Sequence, residues 1–268
     1  MDKIIVLGTG NGSATDIYNT CFILENNNRE YFLVDTGGGN GILKQLKKSN
    51  IDINKIHDIF ISHKHIDHLL GLLWLYRNIE ISMKKGTYEG ILNIYCHEEL
   101  ASVITLMINT LIRKELLTHL DKRIFINPIK DHEKVKILNY DIEFFDICAK
   151  GDKQYGFKTV LNSGKILSFA GDEPLNEDLF DFVRNSDYLL HEAFCLEEEA
   201  TKFKAREKNH DTVAFASLKA EKLGIRNLIL WHTSDNLGSS RRELYTKEAS
   251  KYYSGNIIIP DDLEVIDL

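Results

Sequence analysis

Residues 59–71 read Ile59-Phe60-Ile61-Ser62-His63-Lys64-His65-Ile66-Asp67-His68-Leu69-Leu70-Gly71. The apolar run Ile56–Ile61 predicts a strand, and the apolar segment from Leu69 predicts a helix. Between them, three histidines and an aspartate occupy positions 63 to 68, on a strand-to-helix turn. Imidazole and carboxylate are the nitrogen and oxygen ligands that Zn²⁺ and neighbouring divalent ions prefer. His63 and His65 are two apart, so an extended turn sends them to the same side. Asp67 and His68 point elsewhere and suit a second, adjacent ion.

Composition bounds the rest. The chain has 268 residues, 43% of them hydrophobic, 27% charged, with a formal net charge of −7. With 3 prolines and no low-complexity stretch or linker, a single domain spanning 1–268 is expected. The acidic balance suits a soluble, cytoplasmic protein and disfavours a general nucleic-acid binder. No apolar run is long enough for a signal peptide or a membrane span, so no membrane partner is expected. Cys21, Cys96, Cys148 and Cys195 are scattered and read as reduced thiols.

Along the chain, further strands are predicted at Lys3–Leu7, Thr20–Leu24, Tyr31–Val34, Leu92–Cys96, Arg123–Asn127, Val135–Leu138, Ile142–Ile147, Phe157–Leu161, Ile166–Phe169, Tyr188–Leu190 and Asn227–Trp231, with a strand-like tail over Asn256–Asp267. Helices are predicted at Ile42–Ser49, Leu69–Tyr76, Leu179–Val183 and Val213–Leu223, and a long helical stretch at Glu98–Leu120. The glycine-rich Gly8-Thr9-Gly10-Asn11-Gly12 reads as a tight turn near the site, since no Lys-Ser/Thr or helix follows it as a phosphate cradle requires. Strand ends deliver Asp35, His63, Asp172, Glu192 and His232, which implies one shared edge. Two mixed sheets covered by helices, an α/β fold with αββα layers, accommodate this order. The pairs Lys47-Lys48 and Lys84-Lys85 read as solvated faces, and His57, His97, His119 and His132 as surface or structural.

His-x-His-x-Asp-His after a strand resembles the signature of the metallo-β-lactamase fold hydrolases, a four-layer αββα sandwich. The resemblance covers nearly the whole chain and is closest to the ribonuclease Z branch, the enzymes that trim the 3′ trailer of precursor tRNA. The matching segments are Gly8-Thr9-Gly10, Asp35-x-Gly37, His63 to His68, Ser168-x-x-Gly171-Asp172, His191-Glu192-Ala193, His210-x-Thr212 and His232-Thr233-Ser234. The resemblance implies that His63 and His65 bind a first metal, that Asp67, His68 and His232 bind a second, and that Asp172 bridges them. It implies Zn²⁺, one or two per chain, with Mn²⁺ as an alternative. Asp35 would orient a ligand imidazole. Asp67 would also orient the nucleophile, and Glu192 and His210 would relay a proton to the leaving oxygen. Two such ions ~3.5–4 Å apart can share a hydroxide and clamp a phosphodiester.

The chain departs from the family at one place. A further histidine is expected after the strand near Ile147, but the sequence reads Asp146-Ile147-Cys148-Ala149-Lys150-Gly151. Counting from either side leaves two candidates for the slot: Cys148, as a thiolate ligand or a buried inert thiol, and Lys150, whose ammonium would repel a cation. The long ribonuclease Z forms also carry a tRNA arm before the motif aspartate, for which there is no room between Cys148 and Asp172. The expected substrate is RNA, as a tRNA precursor, or a smaller phosphodiester such as a cyclic or short nucleotide. Lactone or thioester hydrolysis on the same centre, and a metal-binding module that has lost catalysis, are the alternatives. The resembled branch also implies a homodimer.

Overall fold

The computed structural model describes residues 1–268. Two seven-stranded mixed sheets lie face to face. The first contains β1 (Lys3–Gly8), β2 (Cys21–Glu25), β3 (Tyr31–Val34), β4 (Ile56–Phe60), β5 (Leu92–His97), β6 (Ile124–Ile129) and the last strand, β14 (Val265–Asp267). Its order is β14-β1-β2-β3-β4-β5-β6, antiparallel up to β3 and parallel from β3 onward. The second contains β7 (Lys134–Ile137), β8 (Tyr140–Asp146), β9 (Tyr155–Val160), β10 (Ile166–Phe169), β11 (Tyr188–Glu192), β12 (Asn227–Trp231) and β13 (Asn256–Ile258). Its order is β13-β12-β11-β10-β9-β8-β7, and it repeats the pattern: antiparallel from β7 to β10, parallel from β10 to β13.

Period-two alternation builds the layers. In β1, Ile4 and Val6 face the second sheet while Ile5 and Leu7 face the helices outside. In β2, Phe22 and Leu24 point inward, and Cys21 and Ile23 outward. The second sheet does the same, with Phe144 and Trp231 inside and Phe145 and Leu230 outside. The space between the sheets is filled by aromatic rings. Phe22 meets Trp231 with centroids 4.7 Å apart, and Phe60 meets Phe144 at 4.8 Å. Such pairs add about 0.5–1.5 kcal/mol each beyond the area they bury.

Helices α1 (Gly41–Lys48), α2 (Ile66–Leu69), α3 (Gly71–Lys85) and α4 (Glu98–Leu111) belong to the first sheet's half of the chain. Helices α5 (Phe180–Val183), α6 (Ala200–Phe203), α7 (Val213–Leu223) and α8 (Arg241–Ala249) belong to the second's. No helix is long and apolar enough to cross a membrane. The αββα architecture agrees with the expectation, but three local readings change. The helical stretch expected over Glu98–Leu120 stops at Leu111, and Ile112 is extended. Beyond it, the buried Glu80 carboxylate accepts the Thr118 and His119 amides and draws that segment onto α3. Helix α8 carries too few apolar residues in its sequence to signal itself; only Arg241, Tyr245 and Ala249 are buried. The tail splits, giving β13 to one sheet and β14 to the other.

One close approach matters for the site. A Cβ on Gly71 would sit 2.0 Å from the Thr36 carbonyl oxygen, so only glycine lets the start of α3 seat on the turn after β3. The seat is pinned by Gly71 N–H donating to Gly37 O (2.8 Å), and by Thr36 N–H (2.9 Å) and Oγ1 (2.7 Å) donating to His68 O. The α2–α3 corner, and with it His68, is thereby fixed against Asp35.

Candidate metal centre

The turn after β4 carries His63, His65, Asp67 and His68; the ends of β10, β11 and β12 bring Asp172, Glu192 and His232 to the same place. Ligand atoms of His63, His65 and Asp172 lie within 4.8 Å of one another, and so do those of Asp67, His68 and His232. Asp172 Oδ2 stands between the groups, 3.4 Å from His63 Nε2, 3.3 Å from His68 Nε2 and 3.4 Å from His232 Nε2. Asp67 Oδ2 is 3.4 Å from His68 Nε2 and 3.5 Å from His232 Nε2. The structure thus brings together every residue that the resemblance names as a ligand. Gly12, on the glycine-rich turn, closes against the cluster: a Cβ there would lie 3.1 Å from Asp67 Oδ2.

Hydrogen bonds fix which nitrogen of each ring is free. Asp35, held at φ +55 at the end of β3, accepts Ser62 N–H at Oδ1 (2.8 Å) and Ser62 Oγ–H at Oδ2 (2.7 Å). Its Oδ2 also meets His68 Nδ1 at 2.8 Å. A carboxylate only accepts, so the proton is on Nδ1 and His68 Nε2 presents a lone pair to the cluster. Ser62 Oγ has spent its hydrogen on Asp35, so it accepts from His63 Nδ1 (3.0 Å), and His63 Nε2 is free in the same way. Ser62 directly precedes the histidine motif, yet its role depends on Asp35 and was not legible in the sequence.

The nitrogens left free are buried and unsatisfied. His63 Nε2, His68 Nε2, His232 Nε2 and Asp172 Oδ1 have no hydrogen-bond partner. Buried polar atoms are almost always paired, because leaving one bare costs about 1–3 kcal/mol. Several orphaned lone pairs converging on one point, all from imidazole and carboxylate, are what a divalent cation satisfies. In competition with a cation, the same carboxylates draw protons onto two of the rings. Burial would lower the His68 pKa, but Asp67 and Asp35 carry it well above the ordinary value. His232 rises to about 9, Asp172 and Asp67 outweighing its burial. For Asp172, burial is overcome by His63 and His232, and its carboxyl is held well below the usual range. The carboxylates draw positive charge into the space between the rings.

Beside the cluster, His210 Nδ1 meets Glu192 Oε2 at 2.8 Å and the Asp172 carbonyl at 3.2 Å. Both partners are acceptors, so Nδ1 carries a proton and Nε2 is the atom left to exchange one. Burial opposes protonation of His210, but Glu192 more than offsets it and raises the pKa. Phe194 stacks on the ring with centroids 4.7 Å apart and planes 23° apart, holding its orientation. Phe194, too, carries no signal in the sequence. Glu192, His210 and His232 offer ligand atoms within 4.8 Å of one another, so the pair sits against the cluster.

Of the candidates for the missing histidine, Cys148 is not among the converging ligand atoms, and both it and Lys150 line the cavity beside His210. Cys148 is exposed, not buried, and its Sγ lies 3.8 Å from the Asp146 carbonyl. Desolvation and the nearby Asp146 and Asp131 raise its pKa, which favours the thiol over the thiolate a metal needs. Lys150 is also exposed; its tie to this region is its backbone N–H, donated to Glu173 Oε2 at 2.9 Å. Asp152, which the sequence did not single out, is the residue of this loop that approaches the histidines.

The fold and this constellation define a metal-dependent hydrolase of the metallo-β-lactamase fold. The chain belongs to the Anti-Pycsar protein Apyc1 family, whose model matches residues 2–206. It is similar to ribonuclease Z of Bacteroides fragilis (strain YCH46), 23% identical over 304 aligned positions that cover 97% of each chain. Among solved structures it resembles the metallo-β-lactamase fold protein YhfI of Bacillus subtilis, with TM-score 0.79 and 19% identity, covering 99% of this chain and 98% of that one. It also resembles the short form of human tRNase Z, with TM-score 0.74 and 22% identity, covering 99% and 98%.

Proposed function

We propose that this chain hydrolyses a small phosphodiester, such as a cyclic or short nucleotide, with two divalent ions, Zn²⁺ or Mn²⁺, bound in the cluster. His63, His65 and Asp172 would hold the first ion. Asp67, His68 and His232 would hold the second, with Asp172 shared. When bound, such ions lower the pKa of an attacking water and take up charge developing on phosphoryl oxygens. The chain's own residues do the rest. Asp35 and Ser62 keep the protons of His68 and His63 on Nδ1. Asp67 positions the nucleophile by accepting its hydrogen bond. His210, protonated through Glu192, donates from Nε2 to the departing oxygen.

The observation that carries this reading is the part-buried Glu192–His210 contact at 2.8 Å beside the ligand cluster. An alkoxide leaving from phosphorus needs a proton at that point, and general acids typically contribute 10²–10⁴-fold. Hydrolysis of a lactone or thioester on the same centre would give the pair no evident work.

Substrate size is argued from the surroundings. The cleft at the cluster encloses about 170 Å³, and His210 also lines a cavity of about 460 Å³ with Arg206, Phe215 and Lys219 at its sides. Small-molecule sites are typically of order 300–1,000 Å³. Residues 147–154 between β8 and β9 form a short loop, and β9 turns tightly into β10, so no arm projects to hold a large RNA. The net charge of −7 also opposes tRNA, whose grip is largely electrostatic. Precursor tRNA is the second reading, favoured by the full-length likeness to a protein named ribonuclease Z.

The test is a turnover assay with Zn²⁺ or Mn²⁺ on bis(p-nitrophenyl) phosphate, a cyclic nucleotide, a precursor tRNA and an activated lactone. Hydrolysis of the first two without trailer cleavage is expected. Lactone turnover with no phosphodiester turnover would overturn the proposal, and metal uptake without any turnover would leave a binding module.

A further inference from the structure

We propose that Asp152 is the positioning carboxylate of His65 and compensates for the histidine this chain lacks. The inference rests on the reading of His63, His65 and Asp172 as a cation site. Asp152 Oδ2 lies 3.3 Å from His65 Nε2. A carboxylate only accepts, so this contact keeps the ring proton on Nε2 and leaves the Nδ1 lone pair for a cation. Asp152 stands outside the atoms grouped within 4.8 Å around His63, His65 and Asp172, so it acts on the ring and not as a member of the ligand set.

Three contacts hold it there. Glu173, next to Asp172, accepts the backbone N–H groups of Lys150 (2.9 Å) and Gly151 (3.3 Å), tying the loop to the centre. A Cβ on Gly151 would lie 3.0 Å from Glu173 Oε1, so the approach favours glycine. Lys64 Nζ then meets Asp152 Oδ1 at 2.6 Å, which turns Oδ2 toward His65. Two buried imidazoles of the centre have an oxygen partner that fixes the proton, Ser62 for His63 and Asp35 for His68. His65, with its side chain 46% exposed, receives the equivalent from Asp152. A carboxylate on the far nitrogen makes an imidazole a better donor, and losing such a partner typically costs 10–100-fold in metal affinity. That gain offsets part of what the missing nitrogen ligand would have contributed.

The experiment titrates Co²⁺ into metal-free protein against a competing chelator, following stoichiometry and the visible absorption of each site. In Asp152→Asn the affinity of the first site is expected to fall about 10–100-fold while the second is unchanged. Asp152→Glu should recover part of the loss, and Lys64→Met, which removes the contact that turns Oδ2 but leaves the carboxylate in place, should lose less than Asp152→Asn. Two sites of unaltered affinity in Asp152→Asn would overturn the inference. So would an equal loss in Lys64→Met, which would make the effect one of loop tethering. A change in the shape of the first-site spectrum in Asp152→Asn would make Asp152 a ligand and overturn its positioning role. A wild-type chain that takes up no cation would instead overturn the cluster reading on which the inference stands.

Discussion

Replacing Asp35 by asparagine should weaken both metals through one buried atom. Asp35 Oδ1 accepts Ser62 N–H, and Oδ2 accepts both Ser62 Oγ–H and His68 Nδ1. An amide has one acceptor and one donor group. With its NH₂ in place of Oδ2, a donor faces His68 Nδ1, which must give up its proton; the ring then carries it on Nε2 and loses its metal-facing lone pair. Ser62 Oγ must accept from the new amide and turns its own hydrogen toward His63 Nδ1, which reverses that ring too. With the amide flipped, NH₂ opposes Ser62 N–H and a buried donor is left bare. Asparagine tolerates the φ of +55, so backbone strain is not added. Losing a partner of this kind typically costs 10–100-fold in affinity, about 1.4–2.7 kcal/mol per ion, at both sites. The metal-free fold should lose about 1–3 kcal/mol for the unpaired buried group. Chelator competition measures the first quantity and urea unfolding of metal-free protein the second. Asp35→Asn protein that binds both ions within about threefold of the wild type would refute the relay.

Four other outcomes are expected. Glu192 is what lifts the His210 pKa against burial, so Glu192→Gln should move the alkaline limb of the rate profile to lower pH and lower kcat; an unmoved limb would remove His210 as the acid. The same pair contributes stability that is fully present below the unfolded histidine pKa and is lost as pH rises through the raised folded value, so urea unfolding of metal-free Glu192→Gln should lose that pH dependence. Gly71→Ala drives a methyl to 2.0 Å from Thr36 O and should cost about 1–3 kcal/mol or more, so a urea midpoint like that of the wild type would show that the α2–α3 corner can shift freely. Chelation should lower the melting temperature, since an ion at about a hundred times its Kd contributes about 2.7 kcal/mol to the folded state; a melt indifferent to chelator would mean that the orphaned nitrogens hold no ion.

Local pattern carried a large part of this protein. The alternation of β1, β2 and β12 assigns each residue a layer, because strand period and burial on both faces are written one residue at a time. The turn from His63 to His68 is legible for the same reason: its ligands are neighbours in sequence. Asp172, Glu192, His210 and His232 were drawn from likeness to a family, since three stand at separate strand ends and His210 before α7, and only the fold sets them beside the turn. Polar, lightly anchored α8 and the early end of α4 were hidden, because their bounds depend on contacts made with other elements. What the sequence alone decided is the identity and spacing of the charged and imidazole groups. What tertiary structure decided is their protonation: the lone pairs of His63 and His68 exist where they do because Asp35 and Ser62 lie across two strand ends. It also leaves Cys148 out of the converging ligand atoms and sets Asp152 against His65. Hydrogen-bond direction depends on ångström distances between residues far apart in the chain, and spacing along the chain does not encode those distances.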